Sequence, residues 1–128
     1  DRRIVGDEKM ANLIPAKQKL KIYQGATFSR TVAITDGAGG PVDLTGATAR
    51  MQVRQSIDDD SVLLELTTEN GRISHDGVGG VLTLVVDDED TALLSFSNAV
   101  YDLEIEYVNG QVDRVLYGEV VLLEEVTR

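Results

Sequence analysis

The sequence predicts an all-β protein in which seven to nine short strands form a β-sandwich or a small barrel. The clearest sign is the run of residues 101–107, where apolar residues alternate with acidic ones as in a strand with one buried face. Asn109-Gly110 follows this run and is typical of a tight hairpin turn, after which a second strand begins at Val112. Other short apolar runs, bounded by turn residues, recur along the chain.

The composition fits one domain with an aliphatic core. The chain has 128 residues, of which 42% are hydrophobic but only 5% aromatic, and Trp is absent. Val, Leu, Ile and Ala must therefore fill the interior of a domain large enough to bury one core. There is no Cys, which excludes disulfides, thiolate catalysis and Cys-based metal centres.

The charge of the chain bears on its partners. A formal net charge of −10 disfavours nucleic acid, because phosphate backbones are bound mainly through Lys and Arg. No apolar run approaches the ~20 residues that cross a bilayer. The N-terminus also lacks the cationic and apolar regions of a secretory signal. We therefore expect neither nucleic acid nor membrane as a partner.

Residues 1–18 are polar, aperiodic and mixed in charge, and they are predicted to be an arm outside a domain of residues 19–128. Met10-Ala11-Asn12 looks like a natural start, so the preceding residues are either the remnant of an added extension or part of an arm that orders only along a neighbouring chain. In the second case, Leu13 and Ile14 are the predicted apolar anchors for the partner. Pro15 interrupts any strand pairing there because it has no N–H to donate.

Three strands are predicted in the first half of the domain. Leu20 and Ile22 mark the first, residues 28–34 contain the second, and the break lies at Gln24-Gly25. Residues 36–41 are rich in glycine and end in proline, which indicates a turn. Residues 47–54 alternate apolar and polar side chains and predict the third strand.

The second half adds strands and one helical turn. Residues 62–66 predict a strand and residues 71–74 a shorter one. Residues 81–86 are β-branched and apolar, which suits a strand buried on both faces or one that curls at an edge. Residues 87–94 start with four acidic residues and continue into Ala and Leu. This pattern predicts a short helical turn near residues 88–94 whose N-terminus is capped by carboxylates.

His75 is the only histidine, and its sequence neighbours are Ser74 and Asp76. A catalytic triad needs a serine, a histidine and an acid that converge in space, whereas adjacent residues of an extended chain point to opposite faces. We therefore expect His75 to have a turn or surface role and the protein not to be an enzyme. A small hydrolase built on a pair of carboxylates is the least favoured alternative, since sequence spacing does not exclude such a pair.

Two acidic clusters, residues 58–60 and residues 87–90, have the ligand chemistry that calcium prefers. Neither has the spacing of an EF-hand loop. We interpret the first as a solvated loop and the second as a helix cap, and we expect no metal or cofactor. If a metal does bind, the first candidates as ligands are Asp58, Asp59 and Asp60.

Other conspicuous residues receive structural interpretations. Glu104 and Glu106 are read as the solvated face of a strand, and Gly118 is expected at a bulge or at a close approach of two backbones. The glycines of residues 37–40 indicate a hairpin turn, because neither a helix nor Gly-Lys-Thr follows them. The tyrosines are interpreted as residues at the rim of the core and not as a strip that stacks on sugars: Tyr23, Tyr101, Tyr107 and Tyr117.

Three segments carry a resemblance to a known family. They are the turn and strand TDGAGGPVDLTGATARMQVR from Thr35, the segment GVLTLVVDDEDTALL, and the closing hairpin YDLEIEYVNGQVDRVLYGEVVLLEEVTR. The first contains Asp-x-x-Gly-x-Pro-x-Asp-Leu-Thr-Gly from Asp36, and the last contains Tyr-x-Leu-x-Ile-x-Tyr from Tyr101. Together they resemble the small phage tail and baseplate proteins that are similar to the upper baseplate proteins of siphophages. The resemblance spans about residues 20–128.

The resemblance implies a fold and a function. The N-terminal module of that family is an immunoglobulin-like β-sandwich, so a single antiparallel sandwich of this type is expected here. The implied function is that of a virion structural protein, a tail, baseplate or fibre-adaptor subunit that assembles with other virion proteins and with copies of itself. A head decoration protein and a carbohydrate-binding or adhesin-type module are the alternatives. Exposed tyrosines near acidic residues on a concave face would favour the carbohydrate-binding module.

Overall fold

The computed structural model describes residues 15–127, and these residues form two β-sheets packed face to face. The prediction of a β-sandwich with seven to nine strands is confirmed. Nine strands, a 3-10 turn at Gly77–Gly79 and one α-helix make up the described chain. In chain order they are β1 (Ala16–Lys17), β2 (Leu20–Tyr23), β3 (Phe28–Ala33), β4 (Thr48–Arg54), β5 (Leu64–Thr67), β6 (Ile73–His75), β7 (Val81–Val86), α1 (Asp88–Ala92), β8 (Asn98–Glu106) and β9 (Val112–Leu123).

The larger sheet has six strands, in the order β1-β9-β8-β4-β5, with β2 also paired to β9. Its neighbours are antiparallel except at one edge, where β1 and β2 both run parallel to β9. The predicted hairpin joins β8 to β9: the Tyr107 N–H donates to the Gln111 carbonyl at 2.8 Å, and Gly110 has a φ of 91°. A glycine suits this position because a side chain disfavours positive φ.

The predicted boundary between arm and domain falls inside this sheet. The parallel ladder begins at Ala16, three residues before the predicted start of the domain at residue 19. Leu13 and Ile14, the predicted partner anchors, lie outside the described residues. The sandwich therefore includes the last residues of the segment that the sequence assigned to the arm.

The smaller sheet has three antiparallel strands in the order β3-β7-β6, which places β7 at its centre. In β7 the residues Leu82, Leu84 and Val86 are buried, while Val81, Thr83 and Val85 are only partly buried. The expectation that this strand is buried on both faces or lies at an edge was therefore wrong. Its outward-facing side chains, Val81, Thr83 and Val85, are apolar or uncharged, and the described residues cover them only in part.

The core lies between the inner faces of the two sheets and is almost entirely aliphatic, as the composition requires. Its largest fully buried side chains come from both sheets and from the loop before β4: Leu20, Ile22, Leu44, Met51, Val53, Leu66, Ile73, Leu82, Leu84, Val86, Leu103 and Ile105. Burying each such side chain stabilises the fold by about 1.5–3 kcal/mol. The core thus ties the two sheets into one body.

The predicted helical turn is present as α1, which follows β7. The predicted carboxylate cap is absent: the Asp87 side chain makes no capping hydrogen bond, and its carbonyl accepts the N–H groups of Asp90 and Thr91 instead. The helix is held by Thr91, whose fully buried hydroxyl donates to the Ala26 carbonyl at 2.8 Å and accepts the Gly25 N–H at 3.1 Å. These bonds fasten α1 to the turn between β2 and β3.

Candidate functional site

His75 is held by backbone groups. The Gly77 N–H donates to its Nδ1 at 3.1 Å, so Nε2 carries the proton and donates to the Ala47 carbonyl at 3.0 Å. Ser74 is exposed on the outer face of the small sheet, and the Asp76 carboxylate accepts the Val81 N–H. The three side chains do not converge, so His75 joins the loop before β4 to the turn after β6.

The acidic loop of residues 58–60 has local structural roles. The Asp59 carboxylate accepts the Ser61 N–H at 2.9 Å, and the Asp59 carbonyl accepts a hydrogen bond from the Arg54 guanidinium at 2.7 Å. Within residues 15–127, no group of three or more His, Cys, Asp or Glu residues is arranged to hold a metal ion. The structure therefore does not bring Asp58 and Asp60 together with Asp59 as a ligand set.

The four tyrosines divide into two pairs. Tyr101 and Tyr107 are buried, as expected for residues of the core, whereas Tyr23 and Tyr117 are 57% and 37% exposed on the outer face of the large sheet. Tyr23 pairs with Leu123, six residues along β9 from Tyr117, so the exposed rings are about 20 Å apart at ~3.3 Å per residue. They do not form a continuous platform for a sugar.

The outer face of the large sheet is charged and internally paired. Arg50 lies between Glu104 and Glu106, at 3.0 and 3.4 Å, and hydrogen bonding to Glu104 raises the pKa of its guanidinium. Arg114 approaches Asp102 at 3.7 Å across β8 and β9. The prediction that Glu104 and Glu106 form a solvated strand face is confirmed by their half-exposed side chains. Pairs this exposed contribute little to stability and mainly keep the face hydrated.

The outer face of the small sheet has a different character. The alternation of burial and the strand register place only small or uncharged side chains there: Ser29, Thr31, Ala33, Ser74, Val81, Thr83 and Val85. None of these seven side chains is charged. At the edge of this face, beside Val85, Arg72 forms an ion pair with Asp90 at 2.9 Å.

The distinctive region of the molecule is the outer edge of β9. In residues 116–123, which we call the locked segment, β8 pairs with residues 116–121 on one side, and β1 and β2 pair with residues 116–117 and 120–123 on the other. Residues 112–115, which we call the open segment, pair with β8, but within residues 15–127 no strand pairs with their other side. The residues that would continue the parallel ladder along that side, upstream of Pro15, lie outside the described residues.

The locked segment is fixed by a contact between three residues. The Tyr101 hydroxyl donates to the Gln18 carbonyl at 2.7 Å, and the Gln18 N–H donates to the Tyr117 carbonyl at 2.9 Å. Gly118, at φ 151°, faces this crossing so closely that a Cβ would overlap the Gln18 carbonyl oxygen. The prediction that Gly118 marks a close backbone approach is confirmed. Burial raises the pKa of the Tyr101 phenol to about 12, so it remains a neutral donor at ordinary pH.

The open segment covers an unusual pair of polar groups. Asp113 is 7% exposed and Tyr107 is 4% exposed, and both point toward the interior at the hairpin end of the sandwich. Within residues 15–127, neither the Tyr107 hydroxyl nor the Asp113 Oδ2 atom has a partner at hydrogen-bonding geometry. Burial raises the pKa of the Tyr107 phenol far above its ordinary value, and the charge of the neighbouring Asp113 and the direction of the phenol proton toward its carboxylate act in the same sense. Buried polar atoms without partners are rare and costly, so each requires an explanation.

A change of register separates the two segments. Leu103 pairs with Leu116 while Glu104 pairs with Arg114, so Val115 is an extra residue and β9 contains a β-bulge there. Both Val115 and Leu116 are buried as a result. The bulge sets the alternation that turns Asp113 inward, and in the sequence the pattern of residues 112–117 breaks at the same place, where Val115, Leu116 and Tyr117 are all apolar.

Comparisons with known proteins concern the fold. No family model and no curated protein matches the sequence. Among solved structures, CopC from Methylosinus trichosporium OB3b is 12% identical with a TM-score of 0.47, and the alignment covers 85% of this chain and 89% of CopC. The extracellular domain of the voltage-gated sodium channel beta4 subunit is 9% identical with a TM-score of 0.47, and the alignment covers 92% of this chain and all of that domain. Tim-1 is 12% identical with a TM-score of 0.41, and 90% of this chain and 99% of Tim-1 are covered.

The described chain also has no membrane-spanning helix, since none of its helices is long and apolar enough to cross a bilayer. Its single α-helix has five residues. Among residues 15–127, the buried side-chain atoms without a hydrogen-bond partner are the Tyr107 hydroxyl and Asp113 Oδ2, at the hairpin end of β8 and β9.

Proposed function

We propose that the protein is a structural subunit of a bacteriophage virion, a tail, baseplate or fibre-adaptor component that acts by protein–protein assembly. The observation that carries the proposal is the open segment of β9, an edge of a large sheet that lies next to the N-terminal segment of the chain. Sheet edges of this kind join proteins by strand addition. The partners are then other virion proteins and copies of this chain, and the protein is located in the virion.

The segments that carry the family resemblance support this proposal through their place in the fold. Residues 36–46 form a compact turn before β4, in which the Asp36 carboxylate accepts the N–H groups of Ala38 and Gly40. The last of the three segments forms the β8-β9 hairpin, which contributes the open segment and the buried Tyr107. Both are therefore structural motifs of the sandwich, as suits a protein that supports other subunits and does not transform a substrate.

The charge distribution supports proteins as partners. Acidic residues dominate the chain, and those on the large sheet are partly neutralised by arginines. A phosphate backbone would be repelled by this surface, because nucleic-acid binding depends on Lys and Arg that displace counterions. A protein edge bound through backbone hydrogen bonds needs no such positive patch.

The proposal is tested on particles from the organism that encodes the chain. Virions purified by density gradient are analysed by quantitative mass spectrometry, and an antibody against the folded domain is used for immunogold electron microscopy. We expect the chain in a fixed ratio to known tail proteins and the label at the tail or baseplate. Copurification only with the soluble host fraction, at the level of an unrelated host protein measured as control, would contradict the proposal.

A further inference from the structure

We propose that Asn109 is a site of covalent modification, at which the side-chain amide is replaced by a carboxylate without the help of an enzyme. The chain contains two Asn-Gly dipeptides, Asn70-Gly71 and Asn109-Gly110, and both lie in turns. The hydrogen bonds of the two turns distinguish these sites and select the second. This inference goes beyond the proposed function and holds whether or not the chain is part of a virion.

The reaction needs only the chain and water. The main-chain nitrogen of Gly110 attacks Cγ of Asn109, which forms a new carbon–nitrogen bond and a tetrahedral centre. The bond from Cγ to the side-chain nitrogen then breaks, and this nitrogen leaves as ammonia, taking up through solvent the proton that the Gly110 nitrogen loses. The succinimide ring that remains is opened by water at one of its two carbonyls, which gives aspartate or isoaspartate. Glycine favours the attack, because no Cβ shields its nitrogen.

Asn109 presents its side-chain amide in a reactive arrangement. The residue is exposed at the tip of the β8-β9 hairpin, and its Oδ1 atom accepts the Gln111 N–H at 2.9 Å. This donor polarises the carbonyl group and stabilises the negative charge that the oxygen gains in the tetrahedral centre. The amide nitrogen, which is the leaving group, makes no hydrogen bond to residues 15–127 and is free to depart.

A main-chain hydrogen bond of the turn limits the rate at this site. The Gly110 N–H donates to the Tyr107 carbonyl at 2.8 Å, so the attacking nitrogen becomes available only when this bond opens. The bond closes the turn at the end of the ladder, where local opening costs less free energy than it does in the middle of a strand. Modification of Asn109 therefore follows the opening of the hairpin tip.

Asn70 is also followed by glycine, but its side chain is fixed. Its Oδ1 atom accepts the N–H groups of Thr67 and Arg72, each at 3.0 Å, and its Nδ2 atom donates to the Glu65 carbonyl at 3.0 Å. The carbonyl group is polarised here too, but the leaving nitrogen is held by Glu65. Attack by the Gly71 nitrogen would draw the amide toward its own main chain and break these bonds. Because such reactions depend steeply on the orientation of the reacting groups, the fold protects Asn70.

The modification changes the end of the sandwich that holds the buried Tyr107 and Asp113. Aspartate adds one negative charge to the turn of an already acidic chain. Isoaspartate also lengthens the main chain by one carbon atom. This displaces Gln111 from Tyr107, whose N–H donates to the Gln111 carbonyl at 2.8 Å. Because ammonia is lost, the change is not reversed, and the hairpin of an old molecule differs from that of a new one.

Peptide mapping by mass spectrometry tests the proposal. The folded protein is kept at mildly alkaline pH for weeks, and samples are digested with trypsin, which places residues 55–72 and residues 73–114 in separate peptides. We expect Asn109 to convert at least tenfold faster than Asn70, with both aspartate and isoaspartate as products. In protein unfolded by urea, where the turns are absent, the two rates should agree within twofold.

Asn98 is the reference within the same peptide as Asn109, because it is exposed as well but is followed by Ala99. It should stay unmodified over the same time, and the Asn109→Gln variant should show no conversion in this peptide. Three outcomes would overturn the proposal. In the folded protein, they are conversion of Asn70 as fast as that of Asn109, or conversion of Asn109 no faster than that of Asn98. The third is a difference between the two Asn-Gly sites that persists in urea, which would assign it to the flanking sequence and not to the hydrogen bonds.

Discussion

The two segments of β9 share one strand and one neighbour, β8, but differ in how their polar groups are satisfied. Over the locked segment, β1 and β2 complete the ladder, and even the hydroxyl of the buried Tyr101 finds an acceptor in Gln18. Over the open segment, β8 is the only strand neighbour within residues 15–127, and the buried Tyr107 and Asp113 each have an atom without a partner among those residues. The same strand is thus held on both sides over one part and, within the described residues, on one side over the other.

The difference is clearest in two buried tyrosines whose hydroxyls have different surroundings. Tyr101 lies in β8, and Tyr107 directly follows the last residue of that strand. The first has a fixed acceptor from its own chain, and so it contributes to folding. The second lies beside a buried carboxylate whose needs no described residue meets. Variants that change one segment and not the other can separate these two roles.

The largest effect is expected from Gly118→Ala in the locked segment. A Cβ there overlaps the Gln18 carbonyl and the backbone φ is positive, so the first strands must shift away from β9. We expect a loss of about 3 kcal/mol in the free energy of unfolding, the sum of overpacking and an unfavourable backbone conformation. Urea unfolding followed by circular dichroism measures it.

The control for this variant is Gly71→Ala. Gly71 also has a positive φ, 82°, but an added Cβ would meet no atom within 4 Å. Gly71→Ala should lower the free energy of unfolding by about 1 kcal/mol, which is the cost of the backbone conformation alone. If both variants lose the same amount, the contact between Gly118 and Gln18 is not what fixes the first strands.

The next effect concerns alkaline pH. The pKa of Tyr101 is raised from 10.0 to about 12 in the folded state. Its contribution to stability is therefore complete below pH 10 and is lost between pH 10 and 12, where the unfolded chain binds fewer protons. We expect a loss of about 2 kcal/mol from this group across that range.

The Tyr101→Phe variant provides the reference for the alkaline experiment. At pH 8 it should be less stable by about 1 kcal/mol, because the bond to the Gln18 carbonyl is gone. From pH 8 to 11 its free energy of unfolding should fall less steeply than that of the unmodified protein. The two proteins differ only at residue 101, so the difference between their pH curves reports on Tyr101. Parallel pH curves would show that Tyr101 ionises equally in the folded and unfolded states.

The smallest change in the free energy of unfolding is expected for a variant of the open segment, and this change is a gain in stability. Asp113→Asn removes a buried charge whose Oδ2 has no partner and offers an amide donor to Tyr107. The free energy of unfolding of the isolated chain should rise by about 1 kcal/mol, measured by urea unfolding at low protein concentration. A loss of stability would indicate that the carboxylate stabilises the single chain, and it would remove the contrast between the segments.

The fold was predictable where local pattern and packing agree. The alternation in residues 101–107, the Asn-Gly turn and the strand at residues 47–54 all follow from one buried face per strand, and each appears in the structure. The pattern of β7 was misleading because apolar residues also stand on the outward face of the small sheet. Sequence alone does not distinguish an uncharged exposed face from a buried one.

The candidate site was harder to predict, because it depends on pairings between distant parts of the chain. Gly118 signalled a close approach, but the identity of its neighbour, Gln18, follows only from the parallel ladder between β1 and β9. Asp113 gave no signal, since a bulge at Val115 decides that it points inward. The adjacent apolar residues Val115, Leu116 and Tyr117 interrupt the alternation at this place, but they do not show which residue is the extra one.

The parallel pairing of the first and last strands has a mechanical consequence. β2 and β9 run in the same direction, so the chain enters the sandwich at one end and leaves it at the other. Tension applied to the two termini of the described chain then acts along the strands and loads the hydrogen bonds between β2 and β9 together, in shear. A body built this way resists stretching better than one whose terminal strands can be peeled apart bond by bond.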